Sequence, residues 1–278
     1  MRTLLQISDL HYGTVDERIA AGLIEDIAGQ KCDLLIISGD FTQRARAEQY
    51  QAAAELRRHL PQPQLVVPGN HDIPLFDVRR RFFSPLHNYH RYITTEMLPQ
   101  YIDDEVAVLG VNTARPWNWT MKGFWKDGRI SDGQLLEIRQ RLGEAVAGRV
   151  KVLVTHHPFI PPPVRRYGVL LGAERALAQL QGVGIDLLLA GHLHVSYSGD
   201  VRAFYPLIRN SMISIQAGTA TSTRLRGEPN AYNVIGIERD HVMITVRSWN
   251  GKRFATSHAT EYRRTELGWE MVAASVAK

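Results

Sequence analysis

Short apolar runs alternate with helical patterns along most of the chain. Six runs have little polar interruption and predict buried strands; they read TLLQIS, DLLIIS, QLVV, VAVLGVN, KVLVTH and IDLLLAGH. Between the first and second runs, and again between the second and third, apolar residues recur at helical spacing, in ERIAAGLIEDIAGQ and EQYQAAAELRRHL. This alternation is typical of an α/β protein whose strands are joined through helices.

Two further signals extend this pattern toward the end of the chain. Ser131 and Gln134 in ISDGQLLEIRQRL have the spacing of a capping box and predict the start of a helix, and ERALAQL predicts another. After Gly191 the helical periodicity fades, and SMISIQAG, YNVIGIER and HVMITVRSW predict consecutive strands. No repeat or low-complexity linker interrupts the chain, so we expect one domain over residues 1–278.

Composition narrows the setting in which the protein works. With 278 residues and 44% apolar content, the chain can bury a sizeable core. A single cysteine offers no disulfide framework, and no apolar run approaches the ~18 residues of a membrane span. We therefore expect a cytoplasmic protein. The formal charge of +5 and isoelectric point near 9.4 favour anionic partners, among them phosphate esters, nucleic acid and anionic lipid surfaces.

Polar side chains follow five of the predicted strands at the point where each strand ends. They are Asp9 and His11, Asp40, Asn70 to Asp72, His156 and His157, and His192 and His194. In open α/β sheets ligands bind at the carboxyl edge of the strands, because the loops that leave the strands open a crevice there. The five clusters are therefore expected to converge on one site.

The chemistry of these side chains is that of a metal site. Residues two apart on a strand share a face, so Asp9 with His11 and His192 with His194 form two chelating pairs. Carboxylate, imidazole and amide ligands without thiolate suit manganese, iron or zinc. About seven candidate ligands are too many for one tetrahedral ion. We expect two divalent or mixed-valence transition-metal ions, with manganese favoured and a carboxylate such as Asp40 as their bridge.

The motifs that carry these residues resemble one known family. DLH, GD, GNHD, HHP and GHLH stand at residues 9–11, 39–40, 69–72, 156–158 and 191–194. In this order and spacing they are similar to the calcineurin-like metallophosphoesterases. The tail GTATSTRLRGEPNAYNV also resembles the bacterial class III cyclic-nucleotide phosphodiesterases. The resemblance implies a four-layer α/β/β/α sandwich, with two mixed sheets flanked by helices and a dinuclear metal centre.

The resemblance also implies a role for each motif residue. One metal would be held by Asp9, His11, Asp40 and His194, and the other by Asp40, Asn70, His156 and His192. A hydroxide shared by the two ions would attack phosphorus in line. His71 matches the family's histidine that contacts phosphate and can protonate the leaving oxygen, which makes it a catalytic candidate together with Asn70 and Asp40.

One segment departs from the family pattern. Many relatives carry an Asp and then Arg-Gly after GD, whereas GDFTQRA places Gln43 and Ala45 at those positions. We expect the partner of His71 to be weaker or to be supplied from elsewhere. Arg44 matches the family's arginine and is a candidate phosphate contact.

Four motif or tail residues have open roles. Asp72 either orients a neighbouring histidine or caps the turn, and His157 is expected to pack or to support a ligand. Arg224 and Arg226, in TRLRGEPN, are candidates to bind phosphate, with simple solvation as the equal alternative.

Two insertions, at residues 73–105 and 115–128, are expected to form a wall or cap over the substrate. The first mixes arginines with aromatic residues, and Pro85 is expected to divide it into two short helices. The second carries Trp117 and Trp119, which could stack a base or receive an acyl chain. A dimer contact or a small local core is the alternative.

These expectations define the predicted function. We expect a phosphodiesterase that cleaves a small nucleotide phosphodiester such as a cyclic nucleotide. The alternative is a pyrophosphohydrolase acting on a nucleotide-linked lipid of the UDP-diacylglucosamine type, at the inner face of the membrane. His71 argues against it, since such enzymes carry Arg at that turn. A nuclease is disfavoured, because no ordered aromatic and basic motif occurs.

Overall fold

The computed structural model describes residues 1–117, 126–143, 146–163 and 168–276. The strands of this part of the chain are β1 (Arg2–Ile7), β2 (Leu34–Ile37), β3 (Gln64–Val66), β4 (Gln100–Ile102), β5 (Val106–Gly110), β6 (Val150–Val154), β7 (Leu187–Ala190), β8 (Tyr197–Asp200), β9 (Ile213–Gln216), β10 (Ala231–Ile237), β11 (His241–Trp249), β12 (Phe254–Thr265) and β13 (Gly268–Val276). The helices are α1 (Glu17–Ala28), α2 (Ala47–Arg58), α3 (Val78–Phe83), α4 (His87–Tyr92), α5 (Asp132–Leu142) and α6 (Ala173–Leu180).

The strands form two mixed sheets. The first has the order β13-β12-β11-β10-β1-β2-β3, and the second has the order β4-β5-β6-β7-β9-β8. In the first sheet β1, β2 and β3 are parallel, and in the second β5, β6, β7 and β9 are parallel. Parallel strands end at the same edge of a sheet, so each sheet presents one edge at which several loops leave together.

Three apolar clusters join the layers. Leu4 of β1 belongs to the cluster between the two sheets, whereas its neighbour Leu5 belongs to the cluster beneath α1 and α2, because successive strand residues face opposite sides. A third cluster packs the second sheet against Ile138 of α5 and Leu177 of α6. The protein is therefore an α/β/β/α sandwich, and the predicted fold class is confirmed.

The predicted elements are confirmed where the apolar pattern is strong. The six apolar runs form β1, β2, β3, β5, β6 and β7. The predicted capping box opens α5, since Ser131 Oγ accepts the Gln134 N–H at 3.2 Å and Gln134 Oε1 accepts the Ser131 N–H at 3.0 Å. Pro85 separates α3 from α4, as expected.

The hairpin of β12 and β13 was not predicted from the sequence. Most of β13 is exposed, so it lacks the alternation that marks a half-buried strand. Its buried end is fixed by Trp269, whose indole N–H donates to Asp186 Oδ1 at 3.1 Å. Arg264 also donates to that oxygen and lies over the Trp269 ring, 4.4 Å from its centroid. Because Asp186 precedes β7, this contact ties the end of the first sheet to the second.

The two insertions differ in how much of them the structure describes. The first contains α3 and α4, whereas residues 118–125 of the second lie outside the described part. No helix within the described ranges is long and apolar enough to cross a bilayer.

Candidate metal centre

The loops that carry the predicted ligands have an unusual backbone. Asp9, His11, Asp40, His192 and His194 all have positive φ, between 51° and 72°. Such left-handed conformations cost non-glycine residues about 1–3 kcal/mol each and persist only where the surroundings impose them. Asp9 and His11 lie beyond the end of β1, so the expectation that each pair shares one face of a strand is wrong in its geometry. The left-handed turns bring the pairs together instead.

Backbone hydrogen bonds hold these turns in place. The Asp9 N–H donates to the Gly39 carbonyl at 3.0 Å, and the His11 N–H donates to the Asp40 carbonyl at 2.9 Å. Only glycine fits at position 39, because the His156 ring packs against it and a Cβ there would lie 2.5 Å from His156 Nδ1. The loops after β1 and β2 of the first sheet and after β6 of the second therefore pack directly against one another.

The first donor cluster contains Asp9, His11 and His194, and all three are buried. His194 Nε2 lies 3.1 Å from Asp9 Oδ1 and 3.0 Å from His11 Nε2. His11 Nε2 lies 3.5 Å from the same carboxylate oxygen. Three donor atoms thus face one another across a gap of the size of an ion.

The second donor cluster is centred on Asp40 and His156. His156 Nε2 lies 3.4 Å from Asp40 Oδ2 and 3.2 Å from Asn70 Oδ1. The His192 ring lies against that of His156, with 5.2 Å between centroids. Asp40 Oδ2 also lies 3.6 Å from His11 Nε2, so this carboxylate connects the two clusters.

The described residues fit a divalent metal. Ligands about 2.0–2.2 Å from one ion lie roughly 3.0–3.5 Å from one another, which is the spacing of the donor atoms here. Asp9 Oδ1 is one of nine buried side-chain atoms that make no hydrogen bond among the described residues. A buried carboxylate oxygen is normally paired, so an unpaired one beside the Nε2 atoms of His11 and His194 fits a site for a cation.

The electrostatics of the cluster favour bound cations. Burial alone would raise the pKa of Asp9, but the positive charge of His194 and the adjacent His11 imidazole hold it well below its usual range. Burial opposes ionisation of Asp40 too, and His156 and His71 outweigh it and lower that pKa. Asp40 in turn overcomes the effect of burial on His156 and raises its pKa to about 9. The two carboxylates thus stabilise positive charge at this position, which is the charge that a bound cation would supply.

Carbonyl oxygens orient two histidines of the donor clusters. His156 Nδ1 lies 2.8 Å from the Ser38 carbonyl, and His194 Nδ1 lies 2.9 Å from the Arg224 carbonyl. A carbonyl can only accept, so Nδ1 carries the proton in both rings and Nε2 is directed toward the cluster. Hydrogen bonds of this kind fix the tautomer and the orientation of metal-binding histidines.

His71 is held in the same way. Its Nδ1 donates to the backbone carbonyl of Gln43 at 3.0 Å, so its partner is supplied by the backbone. Burial lowers the pKa of His71 to about 4, which leaves the ring neutral at pH 7. Its Nε2 lies 3.4 Å from Arg224 Nη1, and the same guanidinium nitrogen donates to Gln43 Oε1 at 3.0 Å. Ala45, at the family's glycine position, adopts a left-handed φ of 54°.

Asp72 caps the turn after β3 rather than orienting a neighbouring histidine. Its carboxylate accepts the backbone N–H groups of Gly69 at 2.9 Å, Thr42 at 3.0 Å and Phe41 at 3.2 Å. These bonds tie the loop after β2 to the turn after β3. They therefore hold Asp40 and Asn70, which lie on those two loops, in a fixed relation.

Both ring nitrogens of His157 are engaged by other groups. Nδ1 lies 2.8 Å from Thr113 Oγ1, and Nε2 donates to the Lys126 carbonyl at 2.8 Å. The ring packs against His192 with 4.6 Å between centroids. This arrangement supports the orientation of His192 and leaves His157 without a nitrogen for a metal.

A cavity of about 150 Å³ opens over the two clusters. It is lined by Asp40, Gln43, Arg44, Asn70, His71, Lys126, His192, His194, Arg224 and Arg226. It brings together the three candidate arginines, and it adds Lys126, whose only sequence signal is its place at the end of the tryptophan-rich loop.

The predicted aromatic wall is only partly described. Trp117 does not line the cavity; its ring lies 5.9 Å from that of Phe82, and it is about half exposed. Trp119 lies outside the described residues.

Comparison with known proteins identifies the family. The sequence profile of the calcineurin-like phosphoesterases matches residues 2–196. The chain belongs to this family. It is a metallophosphoesterase, a hydrolase of phosphoester bonds, and the family assignment made from the five motifs is confirmed.

Individual relatives of this phosphoesterase are distant. It is 25% identical over 209 residues to a probable cyclic nucleotide phosphodiesterase of Synechococcus sp., covering 70% of this chain and 74% of that protein. It is 29% identical over 170 residues to a probable glycerophosphodiester phosphodiesterase GpdQ of Arcobacter nitrofigilis, covering 59% and 57%.

A solved structure shares the fold of this phosphoesterase. Purple acid phosphatase PPD1 from yellow lupin seeds superposes with a TM-score of 0.62 at 11% identity, over 93% of this chain and 53% of that one. At this level of identity the likeness concerns the fold alone.

Proposed function

We propose that the protein is a dinuclear metal-dependent phosphodiesterase that cleaves a small nucleotide phosphodiester such as a cyclic nucleotide. The observation that carries the proposal is the place of Asp40, whose Oδ2 lies 3.6 Å from His11 Nε2 and 3.4 Å from His156 Nε2. A carboxylate between two donor clusters is suited to bridge two ions. The names of the two relatives favour a diester as the substrate.

Each cluster would hold one ion, through Asp9, His11 and His194 on one side and Asn70, His156 and His192 on the other, with Asp40 shared. Two divalent ions bound there would supply Lewis-acid neutralisation of the phosphoryl oxygens and an activated water nucleophile. The residues of the chain would bind and orient the ester. Arg44 and Arg224, on the cavity wall, can donate to phosphate oxygens.

His71 is placed to act on the leaving oxygen. Its Nδ1–H bond to Gln43 fixes the ring so that Nε2 lies on the cavity wall. The ring is neutral in the free protein, since burial lowers its pKa to about 4. A bound diester adds negative charge beside the ring, which raises the pKa and allows His71 to carry the proton it donates.

A second candidate function is hydrolysis of a nucleotide-linked lipid at its pyrophosphate. The exposed aromatic and arginine side chains of α3 favour it, because they suit a lipid environment beside the cavity. His71 argues against it, as it stands where the lipid pyrophosphatases carry Arg. The two candidates share the metal centre and differ only in the substrate.

The deciding experiment compares hydrolysis by metal-loaded protein of cyclic nucleotides, linear diesters, monoesters and a micellar nucleotide-linked lipid. The Asp40→Ala protein, purified in parallel, controls for contaminating phosphatases. We expect the highest kcat/KM for a cyclic nucleotide or linear nucleotide diester. A preference for monoesters, or for the micellar lipid, would overturn the proposal.

A companion measurement uses the tryptophans of the insertion. If Trp117 and Trp119 stack the base, replacing both by Ala raises KM for a nucleotide diester and leaves KM for a small alkyl diester unchanged. Equal effects on both diesters would exclude the stacking role.

A further inference from the structure

The short helix α3 exposes its apolar side chains. Phe82 and Phe83 are both exposed, Phe83 to 83%. Arg81 is buried, with 7% of its surface exposed, and its guanidinium donates to the Pro74 carbonyl at 2.8 Å, whereas the other two arginines of the helix are exposed. A surface helix normally buries its apolar side chains. Exposed phenylalanines on a helix that buries an arginine indicate that this part of α3 contacts an apolar medium.

The apolar face is continuous with the residues that precede the helix. Phe76 is 78% exposed, and Val78 is exposed in the first turn of α3. Val78 and Phe82 stand four positions apart, so they lie on one side of the helix. Together with Phe83 they form what we call the α3 surface, defined as Phe76, Val78, Arg79, Arg80, Phe82 and Phe83.

The α3 surface lies in a basic stretch of the chain. Residues 76–93 contain four arginines and one aspartate, a net charge of +3 out of +5 for the whole protein. Arg79 and Arg80 are exposed within the surface itself. The ion pair between Arg80 and Asp77, at 3.5 Å, is exposed and screened by solvent, so the surface remains basic.

We propose that the α3 surface is a membrane-contact site for an anionic lipid bilayer. Phenylalanine side chains that stand out from the protein enter the boundary between headgroups and acyl chains, and arginines beside them pair with lipid phosphates. The charge of the surface favours a bilayer as the occupant, because Arg79 and Arg80 are exposed beside the phenylalanines and complement an anionic headgroup layer. Binding at this surface is independent of hydrolysis.

The α3 surface lies beside the cavity over the metal clusters. The Arg44 guanidinium lies 5.5 Å from the Phe76 ring, and Arg44 also lines the cavity over the metal cluster. A bilayer on the α3 surface would therefore lie at the mouth of the active site. The enzyme would meet phosphodiesters at the membrane surface as well as those that diffuse to it.

The test is sedimentation of the full-length, metal-loaded protein with vesicles. Vesicles of phosphatidylcholine alone are compared with an equimolar mixture of phosphatidylcholine and phosphatidylglycerol. We expect binding to the anionic vesicles, a roughly tenfold or greater loss of partitioning in the double variant Val78→Ser with Phe83→Ser, and a similar loss in Arg79→Gln with Arg80→Gln. Because these side chains are exposed, the Tm and metal content of both variants should match those of the parent protein.

The matched control replaces two equally exposed leucines elsewhere, Leu207 (79%) and Leu267 (75%), by Ser. This variant should bind anionic vesicles like the parent. If it loses binding as much as the α3 variants, adhesion is unspecific and the proposal fails. The proposal also fails if no vesicle binds, or if the α3 variants instead abolish a concentration-dependent dimer seen by light scattering. None of these outcomes alters the hydrolysis of a soluble substrate, which tests the catalytic proposal separately.

Discussion

Asp40 Oδ2 lies 3.4 Å from the Nε2 atom of His156, although the two residues follow strands of different sheets. Asp40 follows β2 of the first sheet, and His156 follows β6 of the second. The candidate centre is therefore built where the carboxyl edges of the two sheets meet. The way the two sheets pack sets the distances within the site. Substitutions at this junction should therefore change both the stability of the protein and its metal binding.

Loss of Asp40 should be the most damaging single change to the centre. Asp40→Ala removes a donor that lies beside both clusters, whereas His194→Ala removes one from a single cluster. We expect Asp40→Ala to lower bound metal toward zero and to reduce kcat/KM by more than the roughly 10–100-fold loss typical of an outer partner. Metal analysis by mass spectrometry and steady-state kinetics measure both. The exposed Asp104→Ala is the control, and retention of two ions by Asp40→Ala would contradict the bridging role.

Removal of metal should abolish activity and weaken the fold. Asp9 and Asp40 are buried carboxylates that lose their counter-charge when metal leaves. Metal at ~100 times its Kd adds about 2.7 kcal/mol to the free energy of unfolding, a rise in Tm of roughly 5–10 °C. Calorimetry of chelated and manganese-loaded protein gives the comparison. Full activity in stripped protein, or one ion in a fully active preparation, would refute the dinuclear centre.

Replacement of His71 should distinguish proton donation from phosphate positioning. If His71 protonates the leaving oxygen, His71→Ala costs roughly 10²–10⁴ in rate on diesters with alkyl leaving groups. A nitrophenolate leaves without a proton, so its hydrolysis should fall much less. The comparison is valid if both metals are retained. Equal losses on the two classes would assign His71 to positioning alone.

The carboxylate of Asp72 should contribute to stability through the backbone. In Asp72→Asn an amide N–H₂ replaces one of the two carboxylate oxygens, so either the N–H of Thr42 or the N–H groups of Gly69 and Phe41 lose their acceptor. We expect a loss of about 1–3 kcal/mol in the free energy of unfolding. Urea denaturation measures it, with the exposed Asp104→Asn as control. An unchanged midpoint would show that these amides find other partners.

Arg224 should act mainly on substrate binding. Its guanidinium is held on the cavity wall by Gln43 Oε1, a neutral acceptor that leaves its positive charge available. Loss of a charge-assisted hydrogen bond to phosphate should raise KM roughly tenfold or more in Arg224→Ala. Arg224→Lys retains the charge but not the planar fork of donors, so its KM should lie between those of the parent protein and Arg224→Ala. A KM equal to that of the parent in both variants would place Arg224 outside the substrate site.

The sequence by itself predicted the six apolar strands, the family and the residues of the candidate centre. Short, nearly uninterrupted apolar runs bounded by polar motifs favour buried strands, and motifs at the ends of such strands are expected to gather at the carboxyl edge. The pattern of β12 and β13 gave no such signal, because β12 is mostly half-buried and β13 mostly exposed, so neither shows a clear alternation.

Only the tertiary structure decided how those residues meet. The left-handed turns at Asp9 and Asp40, the hold of Asp72 on two loops and the contact of Arg224 with Gln43 each depend on segments far apart in the chain. The burial of Arg81 and the exposure of the α3 phenylalanines are also tertiary facts, because the sequence shows arginines beside phenylalanines without showing which are buried. Local propensity is weak compared with such packing and hydrogen bonding, and these interactions exist only once the two sheets are in contact.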